Sequence, residues 1–336
     1  MSDSEGDPCE QVLVVKDSAS DAEAIVAIHS TRLGPAHGGI RRWGYANSAD
    51  AMADVIALAR AMTFKCALAG IPAGGGKAVI LDHPGLDREA AYRLVGRTVE
   101  QLGGAFYTGP DVNTTAEDLR WVGEETRYVA TDASDGPGDL AAATADGVLS
   151  AWLALAQQLK LEPANSHCLV QGLGAVGMGL CVRLRSLGVR VSVYDVAAAR
   201  IEHAVTELGA IAVTADQVTS TPCDIFSPCA LGGVLTESVA ASLPALGVCG
   251  GANNVFANLA AADLLHQRGI VVVPDFIANA GALIQGALWN LNQERIAPER
   301  LQQIGVTTRQ VLERASVVGR APSTVALELA GELLAR

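Results

Sequence analysis

Three charged residues stand where charge has little solubilising purpose. Lys65 lies at the end of an apolar helical stretch before Cys66 and Ala67, Lys77 follows three glycines, and Asp111 sits in the loop Gly109-Pro110-Asp111-Val112-Asn113-Thr114-Thr115. The only other lysines are Lys16 and Lys160, so a pair in a hydrophobic, glycine-rich neighbourhood reads as a site rather than as surface. A lysine exchanges protons near neutral pH only if its pKa is brought down. Burial among glycine backbones and a second nearby cation both do that, and a carboxylate such as Asp111 supplies compensating charge. The chemistry within reach of this set is proton transfer.

A second pattern points to a cofactor. Gly172-Leu173-Gly174-Ala175-Val176-Gly177 follows the apolar run Cys168-Leu169-Val170 and opens a helical stretch, and Val191-Ser192-Val193-Tyr194 then ends in Asp195. GxGxxG alone is a weak signal, but strand, turn, helix and acid in this order form a dinucleotide-binding unit. The glycines permit a tight turn and bring a pyrophosphate onto the amides that begin the helix, around Gly174, Ala175 and Val176. Asp195 is placed to accept hydrogen bonds from both ribose hydroxyls and to repel a 2'-phosphate, which favours NAD over NADP. Arg200 would soften that discrimination, although an arginine inside a helix is more often solvated.

These residues need elements to hold them. Behind an N-cap near Ser48, the apolar residues Met52, Val55, Ile56, Ala59 and Met62 recur at helical spacing. Ala69–Lys77 (AGIPAGGGK) is expected to be a loop, because no regular element would choose it, followed by a strand over Ala78–Leu81. A helix over Asp87–Leu102 and a strand over Ala105–Tyr107 come next. Turn formers in Thr131–Asp139 (TDASDGPGD) mark an interdomain hinge, so a substrate and catalytic domain is assigned to 1–138 and a Rossmann domain to 139–299. Helices from about 300 to 336 are candidates for a return to the first domain. Beyond the hinge, strands alternate with single helices, the signature of a parallel, doubly wound α/β sheet.

At 336 residues the chain suits two domains with a cleft between them. Half the residues are hydrophobic and 18% are charged, which provides for a sizeable core. A formal net charge of -12 disfavours nucleic acid and anionic lipid, leaving small molecules as partners. The seven cysteines form no CxxC pair and no zinc spacing, so reduced thiols and no metal are expected. The N-terminus MSDSEGDPCE has no signal-peptide character, and no uncharged apolar run is long enough to span a bilayer, so a cytoplasmic location is expected.

The motifs taken together resemble those of the glutamate, leucine, phenylalanine and valine dehydrogenases, along nearly the whole chain. In order they are Gly34-Pro35-Ala36-His37-Gly38-Gly39 with Arg41, Met62-Thr63-Phe64-Lys65, Gly74-Gly75-Gly76-Lys77, Pro110-Asp111-Val112-Asn113-Thr114, the Gly172 turn, Pro228-Cys229-Ala230-Leu231-Gly232, Gly251-Ala252-Asn253-Asn254, and Pro274-Asp275 with Asn279-Ala280-Gly281. The resemblance implies NAD-dependent oxidative deamination of a small L-amino acid to its 2-oxo acid and ammonia by a homo-oligomer. It assigns Lys65 to the substrate α-carboxylate, Lys77 to water and amine protons, and Asp111 to proton transfer at the amino group. Hydride leaves the α-carbon only once the ammonium has lost a proton, and the resulting iminium must then be attacked by an activated water. Gly38 is implied to meet substrate through its backbone, Asn253 to lie near substrate and nicotinamide, and Cys229 and Ala230 to border the dinucleotide. Thr144 matches a threonine near the nicotinamide amide, and a helix hydroxyl bonded to its own backbone is the other reading.

In the side-chain pocket the sequence departs from the leucine enzymes. Gly109 stands for their alanine, Leu283 and Gly286 stand for two valines, and His37 replaces a leucine that is a γ-carboxylate-binding lysine in the glutamate enzymes. Two glycines imply a roomier pocket, and with it an aromatic substrate resembling phenylalanine or tryptophan. His37 either recognises an indole, a phenol or a carboxylate, or is hydrogen-bonded within the protein. Asp146, in place of a common tyrosine, is a departure without an evident effect. The alternatives are a leucine, valine or glutamate dehydrogenase and, in another class, a non-catalytic NAD-binding regulator.

Overall fold

The computed structural model describes residues 8–130, 136–293 and 295–335. The N-terminal residues through Asp7 and, within the predicted hinge, Thr131 through Asp135 lie outside the described residues. The chain divides into two compact units, Met1–Gly138 with Gln285–Arg295 and Ala330–Arg336, and Asp139–Ile284 with Ile296–Leu329.

The first unit is built on a mixed sheet of β1 (Gln11–Asp17), β2 (Ala22–Ser30), β3 (Ala36–His37), β4 (Ile40–Trp43), β5 (Gly74–Leu81) and β6 (Phe106–Tyr107), ordered β1-β2-β5-β3-β6 with β4 also on β5. The residues of β2 and β5 are nearly all buried because both faces are covered. Ile25, Ala27 and Val79 pack against α1 (Ser48–Ala69), whereas Val26, Ile28, Ala78 and Ile80 pack against α2 (Arg88–Gln101). The Asn47 side chain caps α1 by accepting from the Asp50 amide at 3.0 Å, and Gly70, at φ 63°, ends it. Helix α3 (Ala116–Gly123) follows the loop of Asp111 and is opened by a capping box between Thr115 and Asp118.

One expectation is corrected here: Gly74, Gly75 and Gly76 are the start of β5, not a loop. A Cβ on Gly74 would lie 1.9 Å from the Ser30 carbonyl, on Gly75 2.0 Å from the Thr63 amide, and on Gly76 2.8 Å from the Phe106 ring. The glycines let α1 and the neighbouring strands close onto β5, an approach that outweighs their poor strand propensity. The unexpected strands β1 and β2 complete this sheet on the other side.

The second unit holds a fully parallel sheet of β7 (His167–Gln171), β8 (Arg190–Tyr194), β9 (Ile211–Ala212), β10 (Ile225–Pro228), β11 (Gly247–Val248) and β12 (Val271–Val272), ordered β12-β11-β10-β7-β8-β9. The order reverses at β7, so this is the expected doubly wound Rossmann sheet, with its switch point beside the Gly172 turn. Its helices include α4 (Leu140–Gln158), α5 (Ala175–Ser186), α6 (Ala198–Leu208), α7 (Glu237–Ser242), α8 (Leu259–Gln267) and α9 (Asp275–Ala278). Helix α10 (Gly281–Asn292) passes into the first unit at Gln285, α11 (Gln303–Val318) stays in the second, and α12 (Pro322–Leu334) passes at Ala330. By length and composition α4 would suit a membrane, but half of it is buried and it packs on α5 and α11 as a core helix.

Candidate active site

Two residues beyond Gly75, Lys77 leaves β5 on the face that meets α1, with only 7% of its side chain exposed. Its Nζ lies 3.0 Å from Asp111 Oδ2, and Arg41 Nε donates to the same oxygen at 3.1 Å. Arg41 reaches on with its Nη1 to Asp54 Oδ2 at 3.2 Å, where the Tyr45 hydroxyl also donates at 2.6 Å. The result is a chain of charge from a buried lysine to a half-buried carboxylate on α1. Burial pushes the Lys77 pKa below that of an ordinary lysine, against the pull of Asp111. Burial pushes Asp111 up, but Lys77 and Arg41 together outweigh it and hold the carboxyl below the usual carboxylate range. Lys65 is half-buried on α1, two residues past Thr63, whose backbone meets Gly75.

The loop that carries Asp111 is fastened along β4. Ile40 N–H donates to Gly109 O at 2.9 Å, Arg42 N–H to Val112 O at 3.1 Å, Asn113 Nδ2 to Arg42 O at 3.0 Å, and the Thr114 hydroxyl to Ile40 O at 2.6 Å. Asn113 takes the left-handed conformation, at φ 60°, that turns the chain. A Cβ on Gly39 would fall 2.3 Å from Pro110 O, so this glycine is what admits the loop to the strand. Among the residues of this network, sequence reasoning left Arg41 without a role and missed Asp54 and Tyr45. The signal for Asp54 was an acid beside the buried stripe of Ala51, Val55 and Ala59.

His37 is buried in β3, stacked on Tyr107 with ring centroids 5.0 Å apart. Its Nδ1 lies 2.9 Å from Pro35 O, which requires a proton on Nδ1 and leaves Nε2 a bare lone pair; that atom is buried with no partner. Burial lowers its pKa, so the ring is neutral at neutral pH. Gly38 spends its N–H on Tyr107 O at 3.1 Å, and its carbonyl accepts from the Thr108 hydroxyl at 3.1 Å. A Cβ there would lie 1.8 Å from Gly76 O, so packing alone demands the glycine. Gly109 and Gly286 differ from it. A Cβ on Gly109 would make ordinary contact with Ala130 at 3.5 Å, and on the buried Gly286 it would meet nothing within 4 Å. Leu283 is half-buried, three residues earlier on α10.

In the second unit each glycine of the turn has its own task. Gly172 adopts φ 94° and lies so close to Ala230 that a Cβ would be 2.6 Å from that side chain. Gly177 brings α5 onto the strand, since a Cβ there would be 1.8 Å from Gly172 O. Gly174 caps α5 without a side chain, and a Cβ there would meet nothing within 4 Å. The amides of Ala175 and Val176 thus begin a helix at an open surface, which fits a pyrophosphate. Asp195 accepts from the Leu173 amide at 2.6 Å and the Ala197 amide at 2.8 Å, with Arg200 Nη1 3.6 Å away. Burial pushes its pKa up, but the two amides and Arg200 pull harder and keep it ionised. Arg200 is therefore paired rather than simply solvated.

The remaining residues named from sequence fall in the same unit. The exposed Asn253 accepts at Oδ1 from Asn279 Nδ2 at 2.7 Å. Asn254, at φ 51°, donates its backbone N–H to Asp275. Cys229 Sγ accepts from the Gly251 amide at 3.4 Å. The Thr144 hydroxyl donates to Leu140 O at 2.9 Å within its own helix. Asp146 makes a two-pronged pair with Arg183, at 2.6 and 2.9 Å, which ties α4 to α5. Among the described residues no cluster of His, Cys, Asp and Glu could hold a metal ion.

Residues 10–132 match the family model of the Glu/Leu/Phe/Val dehydrogenase dimerisation domain, and residues 196–297 match that of the glutamate/leucine/phenylalanine/valine dehydrogenases. A leucine dehydrogenase of Geobacillus stearothermophilus is 39% identical over 304 residues, 88% of this chain and 82% of that one. A phenylalanine dehydrogenase of Lysinibacillus sphaericus is 40% identical over 299 residues, 85% and 78% of the two chains. The crystal structure of L-tryptophan dehydrogenase from Nostoc punctiforme superposes with a TM-score of 0.87 at 35% identity, covering 97% of this chain and 96% of that one. The chain belongs to the Glu/Leu/Phe/Val dehydrogenase family and is an amino acid dehydrogenase, an oxidoreductase acting on a CH–NH2 group.

Proposed function

We propose that the chain catalyses reversible oxidative deamination of an L-amino acid with an aromatic side chain, giving the 2-oxo acid and ammonia, with NAD as the acceptor. The observation that carries this reading is the pairing of the buried Lys77 with Asp111, 3.0 Å apart. Lys65 binds the α-carboxylate. Asp111 takes the proton that the substrate ammonium must lose before its α-carbon is oxidised. Lys77 then removes a proton from the water that attacks the iminium carbon and returns it to the departing ammonia. NAD, when bound, supplies the hydride acceptor; the Gly172 turn, Cys229, Ala230 and Thr144 border it, and Asn253 offers its amide N–H groups near substrate and nicotinamide. The ionised Asp195 supports NAD against a 2'-phosphate, and its contact with Arg200 weakens that preference without reversing it.

The side-chain reading rests on Gly109 and Gly286, which leave room, and on His37. A neutral ring whose Nδ1 proton is committed to Pro35 presents a lone pair, which repels a γ-carboxylate and accepts from a donor. That argues against glutamate and for a side chain ending in an N–H or O–H, such as an indole or a phenol. The aliphatic reading draws on the leucine-dehydrogenase relatives. The family description of the first matched segment as a dimerisation domain supports a homo-oligomer. Seven free thiols support a reducing compartment, consistent with the cytoplasm. The test is NADH formation at alkaline pH with L-tryptophan, tyrosine, phenylalanine, leucine, valine and glutamate, with NADP in parallel. Aromatic preference with NAD is expected; leucine, valine or glutamate preference overturns the pocket reading, and equal use of NADP overturns that of Asp195.

A further inference from the structure

We infer that Asp54 is a positioning residue of this reaction: by holding one end of Arg41, it prevents the guanidinium from taking Asp111 away from Lys77. The inference rests on reading Lys77 and Asp111 as the proton-handling pair. A guanidinium facing a carboxylate prefers the two-pronged fork, as Arg183 forms with Asp146. Arg41 does not do this. It gives Nε to Asp111 and Nη1 to Asp54, one bond each, at 3.1 and 3.2 Å. Asp54 is itself held, since its Oδ2 takes both Arg41 and the Tyr45 hydroxyl. Thus the guanidinium is shared, and Asp111 Oδ2 is left to divide its charge between Arg41 and Lys77.

Without the Asp54 charge, two changes act on Lys77 in the same direction. Arg41 is free to rotate its fork onto Asp111, which weakens the counter-charge of Lys77, and a nearby anion disappears. Both favour the neutral amine. The other charged groups on α1 are Asp50, which accepts from the Asn47 side chain at the helix start, Arg60, which lies over the Phe64 ring, and the half-buried Lys65, while Arg42 on β4 is paired with Asp82. Asp54 keeps 32% of its side chain exposed, so its replacement leaves no buried charge bare.

The experiment is the pH profile of kcat/KM for deamination by Asp54→Asn, Asp54→Glu and Tyr45→Phe, with wild type alongside. Asp54→Asn keeps the shape and loses the charge. Its acidic limb, set by loss of the Lys77 proton, is expected to move to lower pH by about half a unit. Asp54→Glu restores most of the wild-type limb, and Tyr45→Phe moves it less than Asp54→Asn. An acidic limb that is unmoved, or moved to higher pH, in an Asp54→Asn protein with wild-type Tm overturns the inference. Should Asp54→Asn fail to fold, Asp54→Ser removes the same charge, and a limb unmoved or moved to higher pH in that protein overturns the inference equally. Wild type that turns over no amino acid would instead overturn the parent reading, so the two failures are distinct.

Discussion

The two glycine clusters, Gly74-Gly75-Gly76 in β5 and Gly172 to Gly177 at the head of α5, share one use of the residue and differ at Gly174. In β5 there is no room: a Cβ at any of the three would overlap a neighbouring atom at 1.9 to 2.8 Å. These glycines let protein close on protein around β5, where Lys77 is buried. In the α5 turn Gly172 and Gly177 are likewise crowded, but Gly174 between them faces open space. A crowded glycine marks where the fold holds itself together, and an open one at positive φ, such as Gly70, serves the backbone turn; Gly174 is open at an ordinary φ, so neither demand explains it. Gly286, buried and open, belongs with Gly174 by the same test.

Substitution by alanine would break or sharpen this contrast. Gly75→Ala is expected to have the largest effect, because the added methyl meets the Thr63 backbone rather than a flexible side chain. A loss of about 3 kcal/mol is expected, read as a fall in Tm of several degrees. Gly174→Ala is expected to fold and melt like wild type, since φ is -64° and nothing lies near the methyl, while the KM for the dinucleotide rises. Equal destabilisation by the two substitutions would erase the distinction. Gly286→Ala is expected to leave the fold intact and to act through substrate size, lowering kcat/KM for the largest side chain by about tenfold relative to leucine. An unchanged ratio would remove Gly286 from the pocket.

Much of this was legible in the sequence for identifiable reasons. The βαβ unit around Gly172 was readable because its strands and helix are contiguous and its acid follows at a fixed interval. Lys77 and Asp111 stood out as rare charges among apolar and turn-forming residues. The strand at Gly74 was not legible: local propensity spoke for a loop, and the α1 contact that overrides it is made with Thr63, twelve residues earlier. Asp54 was hidden for a similar reason, since an acid on a helix looks like a solvated residue until the fold brings Arg41 to it. His37 left two readings open, and its bond to Pro35 supplied the tautomer that no spacing could provide.

The central claim is that the buried Lys77, paired with Asp111, carries the proton chemistry while a separate turn carries the dinucleotide. Steady-state deamination by Lys77→Met, with NADH binding measured on the same protein by fluorescence, tests it most directly. Turnover is expected to fall by about 10²- to 10⁴-fold with NADH affinity unchanged. Turnover within a fewfold of wild type, in a protein of unchanged Tm, would contradict it.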